Sequence, residues 1–173
     1  MIKQILFSLL FLFAAVSHAS TPLENLFVVP EVARTAAPGF TIENLRGGDS
    51  SLADYEGKIV LLNFWATWCM PCRAEMPGME TLWQNYREQD FVVVAVSNDE
   101  GSKKRVETFT KLLDLSFPVL LDPEGEVNDL YKVSNMPTSF LIDRNGKIIS
   151  RIVGSDDWTS QEAIKLVEDL LAQ

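Results

Sequence analysis

Two runs in this chain are apolar at nearly every position, and they frame the reading of the rest. Ile59-Val60-Leu61-Leu62-Asn63-Phe64-Trp65 and Phe91 to Val96 show no alternation, as expected of strands covered on both faces of a parallel sheet. Between them apolar residues recur at helical spacing through Met76, Met79, Leu82, Trp83 and Tyr86, which predicts a helix. The same period over Ser102 to Leu113, in Val106, Phe109, Leu112 and Leu113, predicts a second one. Pro118 to Leu121 reads as a short strand and Glu126 to Tyr131 as a short helix. Thr138 to Ile142 and Lys147 to Val153 are strands joined across Asp143-Arg144-Asn145-Gly146, a hairpin turn. A last helix covers Gln161 to Leu171, with Thr159 or Ser160 as its cap and Glu162 in its first turn. Upstream, Phe40 to Leu45 alternates before Gly47-Gly48 and predicts a strand entering a turn; Ser51 to Tyr55 predicts a helical turn closed by Gly57.

Strands alternating with helices imply a largely parallel sheet covered on both faces, and the terminal hairpin adds an antiparallel edge. The expected architecture is a single α/β sandwich domain spanning 37–173. Residues 20–36 have no clear period and look like an N-terminal arm, with Leu26, Phe27 and Val28 as its candidates for packing.

The first residues add a compartment. Lys3 precedes an apolar run from Ile5 to Val16, and Ser17-His18-Ala19 ends it on small residues. Residues 1–19 therefore read as a secretory signal peptide cut after Ala19. The alternative is a retained membrane anchor, but the run is short against the roughly 20 residues a span needs. No Cys follows it to carry a lipid. The expectation is a protein of the periplasm or another extracytoplasmic space, soluble after cleavage.

Charge and histidine usage narrow the chemistry. A net charge of −9 disfavours nucleic acid and anionic lipid as partners. Lys103-Lys104-Arg105 is the only basic run and reads as a solvated helix face. The one histidine is His18, inside the leader. The rest of the chain has no imidazole for metal binding, acid–base work or a Cys–His pair. Neither a metal nor a bound cofactor is expected.

Chemistry then concentrates at Cys69-Met70-Pro71-Cys72, where a buried strand gives way to a helix. A helix N-terminus offers unpaired N–H groups and a partial positive charge. A thiolate at Cys69 is stabilised there, below the ordinary thiol pKa of about 8.5. Cys69 is then the attacking sulfur, and Cys72, one turn further in, the resolving one. The redox-active Cys69–Cys72 disulfide would itself be the working group. A purely structural staple is the competing reading, but closing so small a loop removes little unfolded-state entropy. A metal site would need ligands beyond these two thiolates.

The stretch from Ala37-Pro38-Gly39-Phe40, through Tyr55-Glu56-Gly57-Lys58 and the buried strand, to Ala66-Thr67-Trp68-Cys69-Met70-Pro71-Cys72-Arg73-Ala74-Glu75-Met76-Pro77 resembles the TlpA/ResA-type branch of the thioredoxin superfamily. The likeness continues through Tyr131 and Met136-Pro137-Thr138-Ser139-Phe140-Leu141-Ile142-Asp143 to Asn145-Gly146-Lys147-Ile148. It covers roughly residues 37–153 and implies a thioredoxin-like three-layer sandwich, a mixed central sheet with helices on both faces. It also implies roles. Pro137 matches the family's cis-proline, which faces the disulfide; an ordinary turn proline is the alternative. With Met136 and Thr138 it would pair by backbone hydrogen bonds with an extended substrate segment. Trp68, Met70 and Pro71 are the other candidate substrate contacts. Pro77 matches a proline that kinks the active-site helix. Glu75 matches an acid beneath the CxxC that relays protons to or from Cys72; a helix-surface Glu near the dipole's positive end is the alternative.

Thioredoxins have an Asp where this chain has Asn63, and a Lys on the next core strand, where Phe91 to Val96 has none. Either Glu75 takes over the proton transfer or water does. Met70-Pro71 lacks the His of strongly oxidising relatives, so the dithiol is the better reductant. The expected activity is reduction of disulfides in other exported proteins, with electrons from a membrane-borne donor. Apocytochrome c is one candidate substrate, although members dedicated to that task often carry Glu where this chain has Thr138. A disulfide-forming oxidase is the alternative direction. A peroxidase would need a Pro and Thr set before its Cys, and Trp65-Ala66-Thr67-Trp68 lacks that proline. A copper-delivery module, the non-enzyme reading, would need a distal His.

Overall fold

A computed structural model describes residues 34–101 and 103–173. The expected signal peptide, Leu26 to Val28 and Ser102 lie outside the described residues.

The strands are β1 (Thr35–Ala36), β2 (Thr41–Glu43), β3 (Asp49–Ser51), β4 (Ile59–Trp65), β5 (Phe91–Ser97), β6 (Val119–Leu121), β7 (Thr138–Ile142) and β8 (Lys147–Val153). The helices are α1 (Met70–Tyr86), α2 (Lys103–Leu112), α3 (Glu126–Leu130) and α4 (Gln161–Leu171). A six-stranded sheet runs β1-β8-β7-β4-β5-β6. β4, β5 and β6 are parallel, whereas β7, β8 and β1 join antiparallel. The mixed sheet follows from the connections: helices carry the chain back between parallel strands, and the tight hairpin forces β8 to reverse.

Alternation along β4 builds two cores. Ile59, Leu61 and Trp65 pack with residues of α1, α2 and α4, including Met76, Met79, Phe109 and Leu166. Val60, Leu62 and Phe64 face the other way, toward Val127 and Tyr131 at α3 and Ile42, Leu52 and Tyr55 near the β2–β3 hairpin. A period of two thus distributes one uninterrupted apolar run to both faces.

Local chemistry fixes the ends. Asp143 accepts from the N–H of Asn145 and of Lys147, both at 2.9 Å, and Gly146 takes a φ of 70° that closes the hairpin. Ser160 caps α4 by accepting from Ala163 N at 3.2 Å. At its other end, Arg144 donates to the carbonyls of Leu170 and Leu171 at 3.1 and 3.2 Å. The hairpin turn therefore also terminates α4.

The sheet extends further upstream than the periodicity suggests. Thr35–Ala36 pairs with Ile148 and Lys147 of β8, so the last residues of the arm form an edge strand. Two residues are too few to show a period.

Candidate functional site

The carboxyl end of β4 delivers the chain through Ala66, Thr67 and Trp68 to Cys69, the N-cap of α1. Pro71 occupies the first turn of the helix, where a missing N–H costs nothing. Cys69 and Cys72 are joined by a disulfide. Cys69 Sγ also accepts from Cys72 N at 3.3 Å, so the helix N-terminus is aimed at the sulfur named above as the attacking one. Cys69 is 6% exposed and Cys72 is fully buried, whereas Trp68 and Met70 stand 62% and 68% exposed. The outer sulfur can be approached; the inner one is covered.

The Met136–Pro137 peptide is cis. β7 opposes β4 in the register Thr138 to Phe64, which sets Pro137 level with the end of β4. Met136 packs against the apolar cluster that contains both cysteines. Pro137 O accepts from Gly154 N at 2.8 Å. Thr138 lies inside the sheet, fully buried, with its hydroxyl donating to Asn135 O at 2.7 Å. Trp68, Met70, Pro71, Met136 and Pro137 thus gather at one end of the sheet, while the Thr138 side chain turns inward.

Glu75 lies three residues after Cys72, on the same face of α1, and is 4% exposed. Three N–H groups converge on its carboxyl. Asn63 Nδ2 donates to Oε1 at 2.8 Å, while Asp156 N and Trp158 Nε1 donate to Oε2 at 3.2 and 3.3 Å. Burial pushes its pKa from 4.5 up to about 7, with the nearby Asp156 charge adding to the rise and the three hydrogen bonds holding it back. A cavity of about 410 Å³ is lined by Ala74, Glu75, Gly78 and residues 155–159. A carboxyl that titrates near neutrality on the helix face that also carries Cys72 can take up and release a proton.

Sequence reasoning did not find the partners of Glu75. Asn63 also donates to Ser139 Oγ at 3.0 Å, and Trp158 reads in the sequence as an ordinary core aromatic. The available signal was Asn63 itself, a polar residue inside a run otherwise apolar, which must find partners when buried. Asp99 was missed as well. It sits past the carboxyl end of β5, its side chain fully buried, and accepts from Thr67 N at 2.8 Å, from Thr67 Oγ1, and from Ser97 Oγ at 2.9 Å. Among the described residues no group of three His, Cys, Asp or Glu gathers as a metal site, and no helix is long and apolar enough to cross a membrane.

Comparisons with known proteins give the same picture. A profile described as the AhpC/TSA family matches residues 33–151. A thiol-disulfide oxidoreductase ResA of Bacillus thuringiensis is 46% identical over 118 residues, 68% of each chain. The thioredoxin-like protein YneN of Bacillus subtilis is 47% identical over 121 residues, 69% of this chain and 70% of that one. Among solved structures, a putative thiol:disulfide interchange protein DsbE from Chlorobium tepidum superposes with a TM-score of 0.74 at 36% identity, covering 80% of this chain and 96% of its own.

Proposed function

The chain belongs to the AhpC/TSA family of thioredoxin-like proteins and is a ResA-like thiol–disulfide oxidoreductase, and on that premise we propose that it is an exported reductase of disulfides in other extracytoplasmic proteins. The observation that carries the direction is the exposed, uncharged Met70-Pro71 between the cysteines. No imidazolium stabilises the Cys69 thiolate further, so the dithiol gives up its electrons more readily than in a strongly oxidising protein.

In this reading the Cys69 thiolate attacks one sulfur of a substrate disulfide and displaces the other as a thiolate, leaving a mixed disulfide. Glu75, as carboxylate, takes the proton of Cys72. The Cys72 thiolate then attacks Cys69 Sγ, re-forms the Cys69–Cys72 bond and releases the substrate's second thiolate. Two electrons have passed to the substrate, and its two thiolates take up one proton returned by Glu75 and one from solvent. Met136, Pro137 and Thr138 align the substrate segment through backbone hydrogen bonds, and Trp68, Met70 and Pro71 form the facing rim. A dithiol donor, membrane-borne in this proposal, returns the pair to the reduced state. Apocytochrome c is the candidate substrate. The expected location is the periplasm or an equivalent space, reached through the leader at residues 1–19.

The test is the reduction potential of the Cys69–Cys72 pair, followed by tryptophan fluorescence because Trp68 adjoins Cys69. A value near or below about −220 mV supports the reductase; one near −120 mV reverses the direction to disulfide formation. In parallel, Cys72→Ser in the exporting cell should trap substrates as mixed disulfides on Cys69.

A further inference from the structure

Thr67 and Asp99 form a second polar cluster beside the cysteines, and the chemistry described so far does not use it. The Asp99 carboxylate is wholly withdrawn from solvent. Burying such a charge is costly unless donors surround it. Here the donors come from the loop that presents Cys69. Thr67 gives both its N–H, at 2.8 Å, and its hydroxyl. Ser97 Oγ donates from β5 at 2.9 Å, and Arg105 Nη1 of α2 stands 3.9 Å away. Just before Thr67, the carbonyl of Trp65 accepts from Asn98 N at 2.9 Å. The segment from Trp65 to Thr67 is therefore stitched to the end of the neighbouring strand. Only Trp68 separates the stitched segment from Cys69.

The redox cycle gives this stitching a purpose. While the disulfide is closed, Cys69 is tied covalently to α1 through Cys72. Opening the disulfide removes that side-chain tie, and the Cys69 backbone stays held from two sides, by Arg73 N donating to its carbonyl at 3.1 Å and by its own N–H donating to Ala66 O of the loop at 3.1 Å. The seating of the Cys69 sulfur at the helix N-terminus then depends in part on how firmly the loop is held.

We propose that Asp99 is a positioning residue of the thiol–disulfide reaction, clamping Thr67 so that the Cys69 thiolate stays seated at the N-terminus of α1 when the disulfide is open. The proposal rests on the oxidoreductase reading and is independent of the direction of electron flow.

The experiment alkylates the reduced protein with iodoacetamide across pH, which reads the Cys69 thiolate without any disulfide substrate. Thr67→Val keeps the shape and the backbone N–H and removes the hydroxyl; Thr67→Ser returns it. Thr67→Val should slow alkylation at neutral pH by about tenfold, the loss of thiolate that a thiol pKa raised by about one unit gives, and move the profile to higher pH. Thr67→Ser should stay within about twofold of the parent, since its hydroxyl still donates to the carboxylate. A Thr67→Val profile that matches the parent, even with a lowered Tm, overturns the proposal. So does a Thr67→Ser variant as slow as Thr67→Val, because the hydroxyl would then not be the cause. If the potential reverses the direction of the enzyme while the Thr67 pattern holds, the reductase reading falls and the clamp stands.

Discussion

Asn63 on β4 donates to Glu75 Oε1 on α1 at 2.8 Å, and the same amide nitrogen donates to Ser139 Oγ of β7 at 3.0 Å. Asn63 and Ser139 are register partners across the β4–β7 ladder, so the sheet holds the amide in place against the carboxyl of α1. Where thioredoxins place an acid inside this strand, the present chain places a neutral amide and moves the acid onto the helix. The ionisable group is thereby carried by the same helix face as Cys72. Because the amide brings no charge, Glu75 titrates against the fixed dipoles of three N–H groups and the charge of Asp156.

The raised pKa of Glu75 makes stability depend on pH. Between pH 4.5 and about 7 the folded state binds a proton at Glu75 that the unfolded chain has released. Stability from this group is therefore fully present below pH 4.5 and is lost as pH rises through about 7. The loss amounts to about 3 kcal/mol. Denaturant unfolding of the wild type and Glu75→Gln at pH 4.5 and 8 should show this difference, because Gln does not ionise. Parallel stability curves for the two proteins would mean that Glu75 is not protonated at neutral pH.

Glu75→Gln should also slow turnover by roughly a hundredfold, the low end for loss of general acid–base catalysis. The deficit should fall on resolution by Cys72 and spare the first attack by Cys69. Rapid-quench measurement of mixed-disulfide decay separates the two steps. A slowed first attack would place the role of Glu75 on the wrong sulfur.

Trp158 and Asn63 should move the Glu75 titration in ways that identify each contact. Trp158→Phe removes a donor that favours the carboxylate, so the midpoint should rise by about one pH unit, the lower value expected for a hydrogen bond to a charged group. Asn63→Asp sets a second carboxyl against Glu75, and the two should titrate as a coupled pair with one midpoint shifted up by more than about a unit. Carboxyl signals followed by NMR across pH report both shifts. A midpoint unchanged in Trp158→Phe would show that the indole contact does not tune Glu75.

Much of this was legible in the sequence because the signals were local. The unbroken apolar runs of β4 and β5, the helical period of α1 and the Asp143–Gly146 turn each declare themselves within a few residues. Cys69 and Cys72 are legible for the same reason. Trp158 and Asn63 lie 83 and 12 residues from Glu75 in the chain, and only the packing of α1 on the sheet brings them together. Asp99 follows a strand in a polar stretch whose composition suits a loop equally well. Its meaning appears once β5 is seen to lie beside β4, with both carboxyl ends at the site where parallel sheets commonly place their chemistry.

Trp68 tests whether the rim of the disulfide recognises folded partners. It stands 62% exposed, beside a Cys69 that is 6% exposed. An exposed aromatic of this size contributes little to the fold, so Trp68→Ala should change stability by no more than about 0.5 kcal/mol. Against a protein disulfide the indole offers a broad, rigid contact, and its loss should raise KM severalfold with kcat nearly preserved, the pattern of lost uniform binding. Against a small disulfide such as oxidised glutathione, whose contact is confined to the sulfurs, kcat/KM should change by less than about twofold. Equal losses toward both substrates would instead mean that Trp68 acts on Cys69 itself, through the same short segment that Thr67 anchors, and that protein recognition lies elsewhere on the rim.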